Sequence, residues 1–266
     1  MRVAFVNSGL GLLPAAVALR RSVPDADVVL SMDPDGMPWG PRPVPDIIRR
    51  TLDCCRAAAE LSPDALVLAC NTASVHALDA VRARFEPDLP VVGTVPAIKT
   101  ATSSGGGRVA IWATVATTGS AYQRRLIESF AAGSTVTAVA CPGLADAVDA
   151  GDPVATAAAI TAAAGRTPTD VTDVVLGCTE YELVPDLIAA ALADAGTRGV
   201  TLHGSAGAIA LQTLRRLQRR AGGVGVGGGR LDVLLSGRPA GLPPAAWRYP
   251  AGRELTGRGE PVASIG

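Results

Sequence analysis

Two cysteines that lie far apart in the chain share the same local setting. The apolar run "ALVLAC" ends at Cys70 and the run "DVVLGC" ends at Cys178, and polar residues follow each cysteine directly. In a parallel α/β sheet, ligands bind at the carboxyl ends of the strands, where each strand turns into a helix. The sequence therefore predicts that both thiols lie at such an edge and face a ligand.

This setting also bears on the reactivity of the thiols. The free N–H groups and the positive dipole end of a following helix favour a thiolate and lower the pKa of a cysteine. We therefore expect Cys70 and Cys178 to act as bases near neutral pH. Two opposed bases suit the inversion of a stereocentre, because one removes the proton from one face while the other delivers a proton to the opposite face. Backbone N–H groups and polar neighbours would hold the charge that develops.

A structural interpretation of the cysteines is the alternative. Cysteine is among the most buried residue types, and a cysteine that ends a core strand is often only a small hydrophobe. We interpret Cys54 and Cys55, inside a helix-like stretch, and Cys141, before a proline, in this way. The matched settings of Cys70 and Cys178 favour chemistry for that pair. Five is an odd count, and with no secretion signal recognisable it predicts reduced thiols.

The elements that would position these residues are short apolar runs alternating with longer Ala/Leu/Arg stretches. The candidate strands are 2–7, 27–32, 65–70, 90–95, 108–113, 135–140, 173–178 and 231–237. The candidate helices are 45–61, 120–130 and 204–220. Buried runs of this length separated by helical patterns indicate βαβ units and mainly parallel sheets. The predicted fold class is therefore α/β.

Two domains are predicted within this pattern. A Ser/Gly cluster in "KTATSSGGGR" (99–108) interrupts the rhythm before a new strand begins. We therefore predict a first domain formed by residues 1–98 together with a returning segment, 205–266. The second predicted domain is 99–204.

Composition narrows the functional classes. Of 266 residues, 48% are hydrophobic and 18% charged, and the formal net charge is zero, so neither nucleic acid nor an anionic membrane is an expected partner. A small molecule is expected instead. No run reaches the roughly 18 apolar residues of a membrane span, which with the absence of a leader predicts a cytoplasmic protein.

The reaction is expected to use side chains alone. Lys99 is the only lysine, so pyridoxal phosphate would have one possible attachment point. His76 and His203 are the only histidines, and no Cys-x-x-Cys pair is present, so no metal site of usual spacing is predicted. We therefore predict that the protein uses neither a cofactor nor a metal.

An ordered set of motifs resembles a known family. The motifs are "VNSGLG", "MPWGPRP", "LACNTAS", "VVGTVPAIKTA", "ATVATTGSAYQ", "ACPGLADAVDAG" and "LGCTEYELV". In this order they resemble the cofactor-independent Asp/Glu racemases, and most closely the glutamate racemase branch. The resemblance implies two similar flavodoxin-like α/β domains related by a pseudo-twofold axis, with the substrate in the cleft between them. It also makes a homodimer an expected assembly.

The resemblance assigns roles to residues of this chain. It implies that Cys70 and Cys178 are the catalytic pair and that Asp149 falls where the family usually has a glutamate. It further implies that a set of polar and small residues surrounds the substrate. That set is Ser8, Trp39, Gly40, Asn71, Thr72, Thr114, Thr117 and Thr179.

Two positions depart from the family pattern. Asn7 stands where the family has aspartate, and Glu180 stands where glutamate racemases have histidine, as in the aspartate racemase branch. Asn7 cannot exchange a proton but can orient a substrate group, and we predict that Glu180 is an auxiliary catalytic carboxylate. Compared with the family pattern, a negative charge is missing at position 7 and present at position 180, on the other side of the cleft. The identity of the substrate therefore stays open between glutamate, aspartate and a relative of them.

Three functions fit these residues. The leading hypothesis is an amino acid racemase. An isomerase or decarboxylase of small dicarboxylates on the same fold is the second, because relatives of the family use one or both cysteines without needing an amine. A racemase-like protein that binds a ligand without turnover is the third, because both polar assistants have changed.

Overall fold

The computed structural model describes residues 1–94, 96–102, 107–131, 133–218 and 227–257, and its strands form two sheets. The first sheet has the order β10-β9-β2-β1-β3-β4. Its strands are β1 (Arg2–Asn7), β2 (Asp27–Met32), β3 (Ala65–Leu68), β4 (Val91–Gly93), β9 (Leu231–Leu235) and β10 (Arg238–Ala240). Neighbours pair in parallel except the antiparallel pair β9 and β10.

The second sheet has the order β6-β5-β7-β8, and all of its pairs are parallel. Its strands are β5 (Arg108–Ala113), β6 (Thr135–Ala140), β7 (Asp173–Leu176) and β8 (Thr201–His203). The predicted α/β class with mainly parallel sheets is confirmed. Sequence reasoning missed β8 and β10, which have three residues each and are not fully buried, so neither shows an apolar run.

Helices cover the sheets. They are α1 (Leu13–Ser22), α2 (Val44–Ala59), α3 (Asn71–His76), α4 (Leu78–Phe85), α5 (Ile98–Ala101), α6 (Ala121–Phe130), α7 (Leu144–Ala150), α8 (Pro153–Ala164), α9 (Pro185–Asp194), α10 (Ala206–Gln218) and α11 (Pro250–Leu255). Three short 3₁₀ turns span Leu10–Leu12, Thr179–Leu183 and Pro244–Arg248. In α2 the buried positions Ile47, Thr51, Cys54, Cys55 and Ala58 follow the helical repeat, which explains why this stretch could be predicted.

The core explains why the strands lack an alternating pattern. One cluster of buried side chains runs through both sheets, from Phe5 in β1 to Trp112 in β5. Further clusters pack on the other face of each sheet, around Leu66 and around Ile111. Because helices bury both faces, successive residues of a strand are all apolar.

The chain after the second sheet returns to the first. Helix α10 packs against α1, β3 and β4, and β9 pairs with β2. The domain boundaries proposed at 98/99 and 204/205 stay predictions, and residues 103–106 of the Ser/Gly cluster lie outside the described residues. Among the helices described, none is long and apolar enough to cross a membrane.

Candidate active site

The two cysteines occupy equivalent positions in the two sheets. Strand β3 ends two residues before Cys70, and β7 ends two residues before Cys178. Each cysteine is the N-cap residue of the next helical segment, with φ/ψ of −144°/124° for Cys70 and −131°/135° for Cys178. The repeated sequence pattern therefore corresponds to a repeated backbone geometry.

Both cysteines line one cavity of about 230 Å³. Other predicted site residues line it as well. They are Ser8, Trp39, Gly40, Asn71, Thr72, Thr114, Thr117, Thr179 and Glu180. Asp149, which the family resemblance brought to notice, lies there too, as does Asp146, which sequence reasoning missed. The two aspartates are three residues apart on α7, so helical spacing was the available signal for Asp146.

Asn7 is the predicted site residue that the structure places behind the cavity. Its side chain is fully buried, and its Nδ2 donates to the Ala69 carbonyl oxygen at 2.7 Å and to Thr179 Oγ1 at 3.2 Å. Its Oδ1 accepts from Ser8 Oγ at 3.3 Å. Asn7 therefore joins the residue before Cys70 to the residue after Cys178, and its role as a substrate ligand stays a prediction.

The environment of Cys70 corrects one expectation. Burial and, next, the charge of Glu180 raise the pKa of the Cys70 thiol to about 12, although backbone N–H groups of Ala73, Thr72 and Ser8 oppose the shift. The expectation that the helix N-terminus leaves this thiol ionised near neutral pH is therefore wrong. Desolvation and a nearby carboxylate outweigh the backbone dipoles.

Cys178 has a different polar partner. Its Sγ donates a hydrogen bond to Glu180 Oε2 at 2.8 Å. Burial is the main cause that raises the pKa of Cys178 well above its ordinary value, and the charge and hydrogen bond of Glu180 add to it. Cys178 is thus held as a thiol beside a carboxylate that can accept its proton, and the low pKa expected for it is likewise wrong here.

Asp149 supplies a second carboxyl group to the cavity. Its Oδ1 accepts the Leu10 N–H at 2.7 Å. Burial raises the pKa of Asp149 well above the ordinary range, and the charge of Glu180 raises it further. A protonated Asp149 can donate a hydrogen bond that an ionised carboxylate cannot.

Side chains of the site pack closely against the backbone at two glycines, Gly9 and Gly11. A Cβ on Gly11 would collide with Thr179 Oγ1, and it would stand 2.6 Å from Glu180 Oε1 and 2.7 Å from Asn7 Nδ2. A Cβ on Gly9 would collide with Asp149. The glycines of "SGLG" therefore make room for carboxyl groups from the other half of the chain.

Two further side chains complete the walls. Trp39 Nε1 donates to Asp33 Oδ2 at 2.9 Å, which fixes the indole at the cavity. Asn71 Nδ2 donates to the Gly177 carbonyl oxygen at 2.7 Å, next to Cys178. Within the described residues Asn71 Oδ1 is buried without a hydrogen-bond donor. Asn71 therefore ties the cavity wall beside Cys70 to the residue before Cys178.

Comparison with known proteins identifies the family of this chain. A model of the Asp/Glu/Hydantoin racemase family matches residues 6–213. The chain belongs to this family. The resemblance inferred from the motifs is thereby confirmed, and the family is one of racemases, which are isomerases.

Curated relatives support the assignment across most of the chain. Glutamate racemase of Mycobacterium leprae (strain TN) is 36% identical over 226 residues, which cover 82% of this chain and 79% of the relative. Glutamate racemase of Mycobacterium ulcerans (strain Agy99) is 34% identical over 257 residues, covering 94% of this chain and 86% of the relative.

A solved structure agrees with the fold. Escherichia coli glutamate racemase, in complex with L-glutamate and the activator UDP-MurNAc-ala, superposes with a TM-score of 0.78 at 27% identity. The superposition covers 93% of this chain and 91% of the E. coli chain. The α/β architecture predicted from the sequence is therefore the architecture of a glutamate racemase.

Proposed function

We propose that the protein is a cofactor-independent amino acid racemase of the glutamate or aspartate class, with Cys70 and Cys178 as the acid and base. The observation that carries this proposal is the pair of thiols at equivalent strand ends, which line one cavity in a chain related to glutamate racemases. Both groups that move protons are side chains of the chain itself. The scheme therefore needs no cofactor.

Substrate binding prepares the thiols. Burial and the charge of Glu180 favour the protonated form of both thiols. The ammonium group of an amino acid brings a positive charge that offsets Glu180, and a nearby positive charge lowers the pKa of a thiol. The base thus forms mainly in the presence of substrate.

Each turnover moves two protons. The thiolate of one cysteine removes the α-hydrogen as a proton, and the electron pair stays on the substrate as a carbanion delocalised into the α-carboxylate. The thiol of the opposed cysteine then delivers its proton to the other face of the α-carbon. The product is the mirror-image amino acid, and the two cysteines have exchanged protonation states.

The two cysteines are prepared for unequal roles. Backbone N–H groups favour the thiolate form of Cys70, whereas the Glu180 acceptor favours the thiol form of Cys178. Cys70 is therefore the thiol that ionises first when substrate binds, and it releases its proton to the solvent. After a forward turnover Cys178 is already the thiolate that the reverse reaction needs. When the free enzyme starts on the other enantiomer, the proton of Cys178 passes to Glu180 and Cys70 keeps its own proton.

Polar residues of the cavity hold the substrate in this scheme. Asn71 lies in the cavity wall, and its Oδ1, which is shielded from the cavity, can accept an ammonium N–H after the side chain turns. The hydroxyl group of Thr72 is a donor suited to a carboxylate oxygen. Ser8 and Thr179 donate to one only when they give up their hydrogen bonds to Asn7 Oδ1 and to the Ala69 carbonyl oxygen. Thr114, Thr117, Trp39 and Gly40 form the opposite walls, with the hydroxyls of the two threonines 3.1 Å apart.

The test is proton NMR in deuterated buffer with both enantiomers of glutamate and aspartate. We expect loss of the α-hydrogen signal together with appearance of the opposite enantiomer. We further expect Cys70→Ala and Cys178→Ala each to lower racemisation by about 10²-fold or more, because each removes a general acid or base.

A matched control is Cys141→Ala, which removes a buried thiol outside the cavity lining. Racemisation that persists in both single cavity variants at the rate of the control contradicts the two-cysteine scheme. Failure of the wild type to act on any amino acid, with turnover of maleate-like or malonate-like acids, would point to a dicarboxylate enzyme instead.

A further inference from the structure

A second cavity adjoins the cavity that contains the cysteines. It has a volume of about 320 Å³ and shares lining residues with the first cavity. The shared residues are Gly40, Asn71, Thr72, Ala116 and Thr117. On the other side of the second cavity lie His76 and Arg125, which are exposed to solvent. The second cavity therefore leads from the surface to the wall of the cysteine cavity.

The two cavities differ in charge. The carboxyl groups of the cysteine cavity belong to Asp146, Asp149 and Glu180, and none of its described lining residues is Arg, Lys or His. The second cavity has the opposite character, because its described lining residues include His76 and Arg125 and no acidic residue. The path inward thus begins beside a cation and ends beside carboxyl groups.

Arg125 supplies the positive charge of the second cavity at neutral pH. It lies on α6, and within the part of the chain that the structure describes its guanidinium has no ion-pair or hydrogen-bond partner. His76 is exposed, but partial burial of its ring lowers its pKa below the ordinary value, so His76 is mainly neutral at pH 7 and acts as a hydrogen-bonding group. The unpaired cation that faces the cavity is therefore Arg125.

We propose that the second cavity is a vestibule in which Arg125 attracts amino acids with an acidic side chain on their way to the cysteines. This inference rests on the proposed racemase function and deepens it by assigning Arg125 a role in the approach of the substrate. An amino acid with a side-chain carboxylate has a net charge of about −1 at neutral pH, because its α-ammonium offsets only one of two carboxylates. Acidic groups in the cysteine cavity repel such a molecule, and Arg125 offsets that repulsion at the mouth.

The physical signature of such a vestibule is its dependence on salt. A charge at the mouth of a cleft raises the local concentration of an oppositely charged substrate and the rate of association. The Debye length is about 30 Å at 0.01 M ionic strength and about 3 Å at 1 M, so attraction by Arg125 acts at low salt and is screened at high salt. The chemical step at the cysteines does not depend on it.

The experiment compares Arg125→Gln with Arg198→Gln, which removes the same charge from an exposed position outside both cavities. Racemisation kinetics of the acidic amino acid that the wild type prefers are measured at ionic strengths of about 0.01 M and 1 M. We expect Arg125→Gln to lower kcat/KM about 3- to 10-fold at low salt with kcat unchanged. The difference from wild type should vanish at high salt, and Arg198→Gln should match wild type at both.

Other outcomes separate this proposal from the racemase function. Equal kcat/KM for both variants at low salt overturns the vestibule and leaves the racemase function intact. A wild type that racemises neutral amino acids but no acidic one overturns the vestibule and the glutamate or aspartate class, and leaves the two-cysteine chemistry intact. If the wild type racemises nothing, the proposed function fails, and calorimetric titration of glutarate tests the vestibule alone. Weaker glutarate binding by Arg125→Gln at low salt then supports the vestibule, whereas equal binding or none overturns it.

Discussion

At the scale of single residues, the two thiols combine equal backbone geometry with unequal surroundings. Cys70 receives backbone N–H groups, and Cys178 donates to Glu180 at 2.8 Å. If the two cysteines had identical surroundings, neither thiol would ionise in preference to the other. The side chain that breaks the symmetry is Glu180, whose charge raises the pKa of both thiols.

Glu180→Gln tests this control of the thiols. Removal of the charge should lower the pKa of both thiols, and most for Cys178, which also loses its carboxylate acceptor. The pH dependence of iodoacetamide alkylation, resolved by mass spectrometry for each cysteine, measures this shift. Racemisation should nevertheless slow by about 10-fold or more, because an amide cannot accept the proton of Cys178.

The control for the lost charge is Asp186→Asn at an exposed position on α9. It should leave the alkylation profiles of Cys70 and Cys178 unchanged. An unshifted alkylation midpoint for Cys178 in Glu180→Gln would show that Glu180 does not govern this thiol.

At the scale of elements, two 3₁₀ turns bring the halves of the site together. The turn Leu10–Leu12 follows β1, and the turn Thr179–Leu183 follows Cys178. They pack against each other at Gly11, where the absence of a side chain leaves room for Glu180 and Thr179. The spacing between the first sheet and the second cysteine loop thus depends on one glycine.

Gly11→Ala should therefore damage both stability and activity. The added Cβ collides with Thr179 and approaches Glu180 and Asn7, so the turns must move apart. We expect a loss of about 1–3 kcal/mol in the free energy of unfolding, measured by urea denaturation, because overpacking of a tight contact costs that much. We also expect lower kcat, because Glu180 shifts from Cys178.

Gly207→Ala is the matched control. Gly207 lies in α10, and a Cβ there would have no neighbour within 4 Å among the described atoms. Alanine is favoured over glycine in a helix by about 0.5–1 kcal/mol, so this variant should be no less stable than the wild type. Equal behaviour of the two variants would mean that the turns do not depend on the contact at Gly11.

At the scale of the whole molecule, the sequence predicted the sheets and the pocket better than the electrostatics. Strands β1, β2, β5 and β6 have the predicted bounds. Continuous apolar runs mark β1, β2 and β5, which are buried, whereas β6 is a mostly exposed or half-buried edge strand that its β-branched Thr and Val residues indicate. The edge strands β8 and β10 lack such runs. The pKa of Cys70 was predicted in the wrong direction, because the sequence shows a helix start but neither the depth of burial nor the approach of Glu180.

Burial of carboxyl groups gives the whole molecule a pH-dependent stability. The pKa of Asp149 is raised in the folded state by burial and by the charge of Glu180, whereas an unfolded aspartate has a pKa of about 3.9. Above about pH 4 the unfolded chain loses this proton while the folded chain keeps it, so rising pH favours unfolding. The destabilisation grows until the pH reaches the folded pKa and is then constant.

Asp149→Asn removes this ionisation and keeps an oxygen to accept the Leu10 N–H. The free energy of unfolding of the variant relative to wild type should therefore rise with pH from about 4 upward, by at most about 1.4 kcal/mol per pH unit. Urea denaturation between pH 4 and 8 measures this difference, with the exposed Asp194→Asn on α9 as the control for one lost negative charge. A difference that stays constant or falls with pH would mean that Asp149 is ionised in the folded protein. The cavity would then present a further negative charge to its substrate. A cation at the entrance of the cavity would have to offset a stronger repulsion of an acidic substrate.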